Sequence, residues 1–183
     1  MLATRARRPT LVAIDGRSGG GKTHLAATVA AALRAAGASV YVLSMDEIYP
    51  GWDGLVQAVR TVATDILEPL TAGGVATYQR WDWAANAPGA VVDVPDTDVV
   101  IVEGVGSTAH SRRDEFALTV WVHAPAALRL DRACGRDGQG DYAPYAAQWA
   151  AQEDCLFGPD TYPLVPRGFD MDVDTFAPIE ATG

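Results

Sequence analysis

The sequence predicts an α/β fold built on a mostly parallel β-sheet. Four short apolar runs have the length and composition of buried strands: "TLVAI" (10–14), "SVYVLS" (39–44), "DVVIVEG" (98–104) and "ALTVWVHAP" (117–125). Helical stretches separate these runs, and such alternation is typical of a parallel sheet covered by helices. Glycine or acidic residues follow several of the runs, at the edge of the sheet where ligands bind in such folds.

The residues between the predicted strands have the composition and spacing of helices. Residues 22 to about 36 are rich in alanine, contain no helix breaker and stop at Gly37. "GLVQAVRTVATDILEPL" (54–70) places its apolar residues on one helical stripe. Further helices are predicted at about 126–136 and 142–156. "FDMDVDT" (169–175) alternates weakly and is predicted as the fifth strand, so we expect one domain over residues 1–183.

The composition excludes several classes of function. The chain has 183 residues, a formal net charge of −9 and a pI of about 4.6. This argues against a nucleic-acid or anionic-membrane binder, because those need a basic surface. No apolar stretch reaches the length of a membrane span. Cys134 and Cys155 form no metal-binding or disulfide pattern, so a cytoplasmic location is expected. A homodimer is left open.

A glycine-rich motif follows the first predicted strand. "GRSGGGKT" (16–23) satisfies G-x-x-x-x-G-K-[ST] at every fixed position and stands between a strand and a helix. Its glycines let backbone N–H groups surround a phosphate, and the helix N-terminus adds positive charge. Lys22 is the only lysine in the chain, and a compact ammonium suits such a loop better than an arginine fork. We expect Lys22 between the β- and γ-phosphates of ATP and the Thr23 hydroxyl on Mg²⁺.

This motif predicts a nucleotide site, and other features narrow its activity. The predicted nucleotide-binding residues are Gly16, Ser18, Gly19, Gly20, Gly21, Lys22, Thr23, His24 and Arg129. For His24, on the first helical turn, a structural role is the alternative. The chain has no N-K-x-D element for guanine and no basic track of the kind that nucleic-acid motors use. A small-molecule kinase is the remaining common choice for a chain this short.

Acidic residues follow two other predicted strands. Asp46 comes just past the second strand, where it would face the γ-phosphate, orient an acceptor hydroxyl and take its proton. An ordinary acidic turn is the alternative. Glu103 ends an apolar strand, where burial requires a cation or hydrogen bonds. A strand end that faces solvent is the alternative there.

The glycine-rich loop and three later segments occur in the same order as motifs of the uridine kinase and phosphoribulokinase group of P-loop kinases, which the chain resembles. "DEIY" (46–49) is similar to the D-S-F-Y segment of that group, "EG" (103–104) to the end of its third strand, and "RLDRACGRD" (129–137) to its R-x-x-R-x-x-x-R-D lid. The resemblance implies a three-layer P-loop NTPase fold with a small helical lid at about 129–142. It also implies that Asp46 is the catalytic base and that Glu103 reaches Mg²⁺ through a water.

The lid segment supplies arginines at helical spacing. Arg129, Arg132 and Arg136 would share one helix face and could close over ATP to neutralise charge in the transition state. A solvated, acid-paired face is the alternative. Together with Lys22 and Asp46, the second and third of these arginines are the predicted catalytic residues.

"YQRWDW" (78–83) is the candidate acceptor-binding segment, because a charge pair and aromatic surfaces can hold a polar ring or sugar. Tyr49, Arg80 and Asp82 are the predicted acceptor-binding residues, whereas the tryptophans of the segment are assigned to neither pocket nor core. The sequence thus predicts an ATP- and Mg²⁺-dependent kinase that phosphorylates a hydroxyl of a nucleoside or similar metabolite. The alternatives are a nucleoside monophosphate kinase and a regulatory module that binds ATP without transferring phosphate.

Overall fold

The computed structural model describes residues 8–135, 142–160 and 168–175 of the chain. The strands in these ranges are β1 (Thr10–Asp15), β2 (Val40–Ser44), β3 (Thr77–Asp82), β4 (Ala87–Asp93), β5 (Val99–Glu103), β6 (Leu118–His123) and β7 (Met171–Asp174). The α-helices are α1 (Lys22–Ala35), α2 (Leu55–Thr61), α3 (Glu68–Thr71), α4 (Ala126–Cys134) and α5 (Tyr142–Phe157). Short 3₁₀ turns span Met45–Glu47 and Arg113–Glu115.

A parallel sheet in the order β2-β5-β1-β6-β7 forms the centre of the molecule. Glu103 is in register with Ile14 on one side and with Ser44 on the other, and Asp15 is in register with Trp121. The carboxyl ends of these strands therefore lie along one edge of the sheet, and the residues beyond them meet there. The predicted α/β fold with a five-stranded sheet is confirmed.

Helices cover both faces of the sheet, because successive side chains of a strand point to opposite faces. Leu11 and Ala13 of β1 enter one buried apolar cluster, which α2 and the segment after it cover. Val12 and Ile14 enter a second cluster, which α1 covers with its buried alanines. The result is a helix–sheet–helix sandwich of three layers.

The two long helices predicted around the first strands are present. α1 begins after Gly21, which has a left-handed φ of 100°, and its C-terminus leads into Gly37 with a φ of 91°. The helix predicted for 54–70 is continuous from α2 to α3, but its middle third, Val62–Leu67, is a π-helix. Pro69 follows this segment and has no N–H to donate to the preceding turn, a situation that favours such irregular helix geometry.

The hairpin of β3 and β4 was not predicted from the sequence. Its antiparallel strands form a separate two-stranded sheet, with an irregular register between Gln79 and Trp81. Most of its side chains are exposed, so the strands lack the alternation that marks a half-buried strand. The sequence of Pro88 and Gly89 predicts a turn. Both residues nevertheless lie in β4, because an exposed edge strand tolerates proline and glycine.

The segment predicted as a lid, about 129–142, begins inside α4, the helix that follows β6. Its further part, 136–141, lies outside the described residues, and so does the predicted catalytic residue Arg136. α5 then returns the chain to the carboxyl edge of the sheet, where β7 completes the sheet beside β6. Within the described ranges, the model contains no helix with the length and apolar character that crossing a bilayer requires.

Candidate nucleotide and acceptor site

A cavity of about 740 Å³ opens at the carboxyl edge of the sheet. The residues that line it are Gly19, Gly21, Thr23, His24, Val42, Ser44, Asp46, Glu47, Arg80, Trp81, Trp83, Glu103 and Arg132. They come from the glycine-rich loop, from the ends of β2 and β5, from the hairpin and from α4. The sheet and the hairpin therefore bring together motifs that are up to about 110 residues apart in the sequence, as parallel strands allow.

The glycine-rich loop needs its glycines for two separate reasons. Gly16, Gly19 and Gly21 have φ values of 143°, 72° and 100°, which other residues adopt rarely. A Cβ atom on Gly19 would lie 1.9 Å from the Arg129 carbonyl oxygen, and one on Gly16 would lie 2.1 Å from the Val122 carbonyl oxygen. The loop thus packs closely against the backbone of β6 and α4, with no space there for a side chain.

Lys22 lies beneath this loop with only 5% of its surface exposed. Its Nζ donates a hydrogen bond of 3.0 Å to the Arg17 carbonyl and makes no ion pair with another residue of the described ranges. Burial lowers the pKa of Lys22, and the charges of Glu103 and Glu153 act in the opposite direction. A buried ammonium that meets carboxylates only at longer range fits an anion bound in the loop.

Thr23 and Glu103 form the oxygen-rich part of the cavity. The Thr23 hydroxyl donates to both carboxylate oxygens of Glu103, at 3.2 and 3.3 Å. Burial raises the pKa of Glu103, the charge of Asp46 raises it further, and Lys22 opposes both effects. A bound divalent cation would relieve this burial of negative charge, so the residues fit Mg²⁺.

Mg²⁺ at this position needs few protein ligands. No cluster of three or more His, Cys, Asp or Glu side chains suited to a metal is present in residues 8–135, 142–160 and 168–175. Mg²⁺ bound to a nucleotide commonly uses one or two protein oxygens, phosphate oxygens and water. The Thr23 and Glu103 oxygens meet that requirement.

Asp15 is a structural residue of the site that the sequence analysis missed. It is fully buried, and its carboxylate accepts hydrogen bonds from the amides of Gly16, Gly106 and Thr108 and from the Thr108 hydroxyl, at 2.6 to 2.9 Å. Burial raises the pKa of Asp15, while these hydrogen bonds oppose that shift. Asp15 thus joins the start of the glycine-rich loop to the segment after β5. Its place at the end of an apolar strand, like that of Glu103, was a signal for it.

A second missed feature is an ionic clasp, formed by the buried Arg17 and Glu153 with the more exposed Asp154 and Asp160, that ties the loop to α5. Arg17 is 6% exposed and ion-pairs with Asp154 at 2.8 Å, with Glu153 at 3.5 Å and with Asp160 at 3.6 Å. Glu153, which is also buried, accepts a hydrogen bond of 2.8 Å from the Ser18 amide. The sequence predicts only a helix for this segment, because no sequence pattern links it to a loop more than 130 residues away.

Asp46 lines the cavity at the end of β2, in the 3₁₀ turn Met45–Glu47. The Ser44 hydroxyl accepts a hydrogen bond of 3.4 Å from the Asp46 amide. Trp83 of the hairpin donates its indole N–H to the Asp46 carbonyl at 2.7 Å. The backbone of the predicted base is therefore held from both sides, on β2 and on the hairpin.

Glu47 connects this turn to the hairpin. One of its carboxylate oxygens, Oε2, accepts hydrogen bonds from the Tyr78 hydroxyl at 2.6 Å and from the Arg80 Nε at 3.0 Å, and it lies 2.9 Å from an Arg80 terminal nitrogen. The Tyr41 hydroxyl lies 2.9 Å from that of Tyr78. The hydrogen bond and charge of Glu47 raise the pKa of Arg80, so the arginine stays charged. Glu47 is the second residue of the "DEIY" segment and was not among the predicted site residues.

Of the three predicted acceptor-binding residues, one lines the cavity, one lies in the hairpin turn and one lies in the core. Arg80, Trp81 and Trp83 line the cavity, and neither tryptophan belongs to a buried apolar cluster. Asp82 accepts a hydrogen bond from the Ala85 amide within the hairpin turn and is not a lining residue. Tyr49 lies in the core, where its hydroxyl donates to a backbone carbonyl, because the turn directs it beneath β5.

The arginines of α4 are also separated. Arg132 lines the cavity and donates to the Thr175 hydroxyl at 2.8 Å and to the Thr175 carbonyl at 3.2 Å. Arg129 is buried behind the glycine-rich loop, where it donates to the Ser18 carbonyl at 3.1 Å and pairs with Asp160. The neighbouring helix α1 contributes His24, which is exposed and lines the cavity.

No protein-family model matches this chain, and no curated protein matches it by sequence. Solved structures do match. A possible uridine kinase from Bacillus stearothermophilus aligns with a TM-score of 0.56 and 23% identity, over 83% of this chain and 86% of that one. A candidate fructose transport system kinase from Silicibacter sp. TM1040 aligns with a TM-score of 0.60 and 20% identity, over 94% and 93%. The chain therefore has the α/β fold of P-loop kinases, which confirms the sequence resemblance at the level of the fold.

Proposed function

We propose that this protein is an ATP-dependent kinase that transfers the γ-phosphoryl group to a hydroxyl of a nucleoside or similar small metabolite. One observation carries the proposal: Asp46, Thr23 and Glu103 line a single cavity, next to a glycine-rich loop that covers a buried lysine. A phosphate site, a metal site and a carboxylate for the acceptor are the parts that phosphoryl transfer requires.

The glycine-rich loop binds the nucleotide phosphates in this proposal. The amides from Gly19 to Thr23 and the N-terminus of α1 donate to phosphate oxygens. Lys22 turns its ammonium from the Arg17 carbonyl to the β- and γ-phosphates. Thr23 and Glu103 hold Mg²⁺, which supplies charge neutralisation for the phosphate oxygens when it is bound. Arg132 lies across the cavity and adds a cation near the transferring group.

Asp46 activates the acceptor. Its carboxylate accepts a hydrogen bond from the acceptor hydroxyl and so orients that oxygen in line with the bond to be broken. The new bond joins the acceptor oxygen to the γ-phosphorus, and the bond to the leaving oxygen of ADP breaks. The hydroxyl proton passes to Asp46 late in this step. Arg80, with Trp81 and Trp83 beside it, holds the rest of the acceptor.

Two alternatives make different demands on the cavity. A nucleoside monophosphate kinase must bind a second phosphate on the acceptor side, where the lining cation is Arg80, already paired with Glu47. A module that only binds ATP needs no carboxylate at Asp46. The presence of that carboxylate in the wall of the same cavity favours the kinase.

The test is product formation by the purified wild-type protein. Mg·ATP is incubated with nucleosides, nucleoside monophosphates, sugars and pantothenate, ADP release is followed by a coupled assay, and products are identified by mass spectrometry. The Lys22→Ala variant controls for contaminating kinases. A phosphate ester on one class of hydroxyl acceptor supports the proposal. Transfer to the phosphate of a monophosphate would favour the first alternative, and ATP binding without any product would favour the module.

A further inference from the structure

The end of β7 brings a threonine against the glycine-rich loop. Thr175 directly follows β7, and its amide donates a hydrogen bond of 3.0 Å to the carbonyl of His123, the last residue of β6. A Cβ atom on Gly21 would lie 3.3 Å from the Thr175 methyl carbon, so this methyl group packs on the loop. The proposed function so far gives Thr175 no role.

The Thr175 hydroxyl joins the loop to α4. A hydroxyl has one proton to donate, and the nearer acceptor is the Gly20 carbonyl at 2.9 Å, whereas the His123 carbonyl lies at 3.4 Å. The same hydroxyl accepts a hydrogen bond of 2.8 Å from Nη1 of Arg132. The other terminal nitrogen of Arg132, Nη2, donates to the Thr175 carbonyl at 3.2 Å. One residue thus binds both terminal nitrogens of the guanidinium and a loop carbonyl.

Arg132 lines the cavity while Thr175 holds it. An unrestrained arginine side chain samples many rotamers, and fixing it on a ligand costs conformational entropy at the moment of binding. Here the folded chain restrains the guanidinium beforehand, with a single residue between it and the glycine-rich loop. Two of its five N–H groups serve Thr175, so the same guanidinium can also donate to a phosphate oxygen. A cation that is positioned in advance stabilises developing charge most effectively.

We propose that Thr175 is a positioning residue for phosphoryl transfer, because it sets the Arg132 guanidinium relative to the phosphates that the glycine-rich loop would hold. The inference rests on the proposed function, since it concerns the cation near the transferring group. Thr175 acts through Arg132. Loss of its hydroxyl should therefore lower the rate of transfer and the preference for a third phosphate more than it lowers the affinity for ADP.

Three substitutions separate the hydroxyl from the rest of the residue. Thr175→Val keeps the shape and the methyl contact with the loop but removes the hydroxyl hydrogen bonds. Thr175→Ser keeps the hydroxyl and removes the methyl group. Thr119→Val is the structural control, because the Thr119 hydroxyl donates to Asp170 at 2.8 Å and so anchors the residues before β7. Thr119 is not a lining residue of the cavity.

The experiment measures kcat and the KM for ATP with an acceptor found in the screen. We expect kcat to fall about tenfold in Thr175→Val, as the loss of one hydrogen bond to a charged group predicts, while the KM for ATP changes less than about threefold. Thr175→Ser should recover most of the wild-type kcat, and Thr119→Val should leave kcat unchanged. The decisive comparison is Thr175→Val in the Arg132→Ala background, where it should have no further effect because the group it positions is absent.

Three results would each overturn the proposal: an unchanged kcat in Thr175→Val, a Thr175→Ser variant as impaired as Thr175→Val, or a loss of kcat that persists in the Arg132→Ala background. The last result would mean that Thr175 acts on the loop through the Gly20 carbonyl and not on the guanidinium. Should Thr175→Val fail to fold, Thr175→Ala takes its place, because it also removes the hydroxyl and keeps the backbone carbonyl.

A wild type that forms no product removes the support for the proposed function and leaves a separate test of Thr175. Calorimetry with a non-hydrolysable ATP analogue and with ADP then measures the preference for the third phosphate. Thr175→Val should reduce this preference about tenfold, and the reduction should vanish in the Arg132→Ala background. Equal preferences in wild type and Thr175→Val would contradict the positioning role, as would a wild type that binds neither nucleotide.

Discussion

The two ends of the cavity are built in opposite ways. On the phosphate side, defined here as the glycine-rich loop with Asp15 and Glu103, the charged side chains are buried. Asp15 and Lys22 bond to backbone groups, and Glu103 accepts from the Thr23 hydroxyl. On the acceptor side, defined as Asp46, Glu47, Arg80, Trp81 and Trp83, the Arg80 and Glu47 side chains are 47% and 35% exposed. The phosphate side belongs to the central sheet, whereas the acceptor side depends on a hairpin outside it. If the proposed function is correct, the contrast assigns the nucleotide to the rigid core and the acceptor to an exposed element outside the central sheet.

The largest expected effect lies in the backbone of the phosphate side. In Gly19→Ala the added methyl group would lie 1.9 Å from the Arg129 carbonyl, at a φ of 72°. The loop must shift, and the amides that would donate to the phosphates move with it. We expect ATP binding, measured by calorimetry, to fall by about 100-fold, as expected when two hydrogen bonds to a charged group are lost.

Gly37→Ala is the matched control for this variant. Gly37 has a similar left-handed φ of 91°, but nothing lies within 4 Å of the added carbon. It should lose about 1–2 kcal/mol of unfolding free energy through backbone strain and keep its ATP affinity. If both variants bind ATP equally well, the loop is not pre-formed by close packing, and the contrast between the two sides fails.

Lys22→Arg should weaken ATP binding by about 10- to 100-fold, as expected when a hydrogen bond to a charged group is lost. Lys22 is 5% exposed and has its ammonium against the loop carbonyl of Arg17, so the wider guanidinium does not fit. Lys22→Ala should lose at least as much. Calorimetric titration of both variants with Mg·ATP measures the effect. An unchanged dissociation constant in Lys22→Arg would show that the loop can accommodate a guanidinium group.

The same Glu→Gln change made on each side tests the contrast in stability. Glu153→Gln removes a buried charge from the ionic clasp, and Arg17 keeps Asp154 at 2.8 Å as a partner. We expect a loss of about 2 kcal/mol, below the range for a fully broken buried pair. Glu47→Gln breaks a half-exposed pair and should lose no more than about 1 kcal/mol. Urea unfolding monitored by circular dichroism measures the free energy of unfolding of both variants. Equal losses would mean that the ionic clasp stabilises the fold no more than the half-exposed pair does.

The contrast also explains what could be predicted from the sequence. The strands around the glycine-rich loop were predictable, because buried parallel strands are continuous apolar runs. The loop itself was predictable because backbone geometry demands its glycines. The β3–β4 hairpin was not, since its exposed strands lack a periodic pattern and include Pro88 and Gly89.

Long-range polar contacts were the other class of feature beyond prediction. Glu153 resembles any polar residue of an amphipathic helix until the fold brings it to the Ser18 amide. Tyr49 was predicted to form part of the acceptor pocket, yet its side chain lies in the core, where its hydroxyl donates to the Val105 carbonyl. A motif fixes which residues are near one another in sequence, and the direction of each side chain depends on the turn that carries it.

The central claim is that the cavity transfers a phosphoryl group with Asp46 as the base, and Asp46→Asn tests it most directly. The amide keeps the volume and most of the hydrogen bonding but removes the basicity. With an acceptor found in the screen, kcat should fall by about 10²–10⁴-fold. ATP affinity, measured in parallel, should be unchanged or slightly tighter, because a negative charge near the phosphates is gone. Full activity in Asp46→Asn would contradict the claim and remove Asp46 from the mechanism.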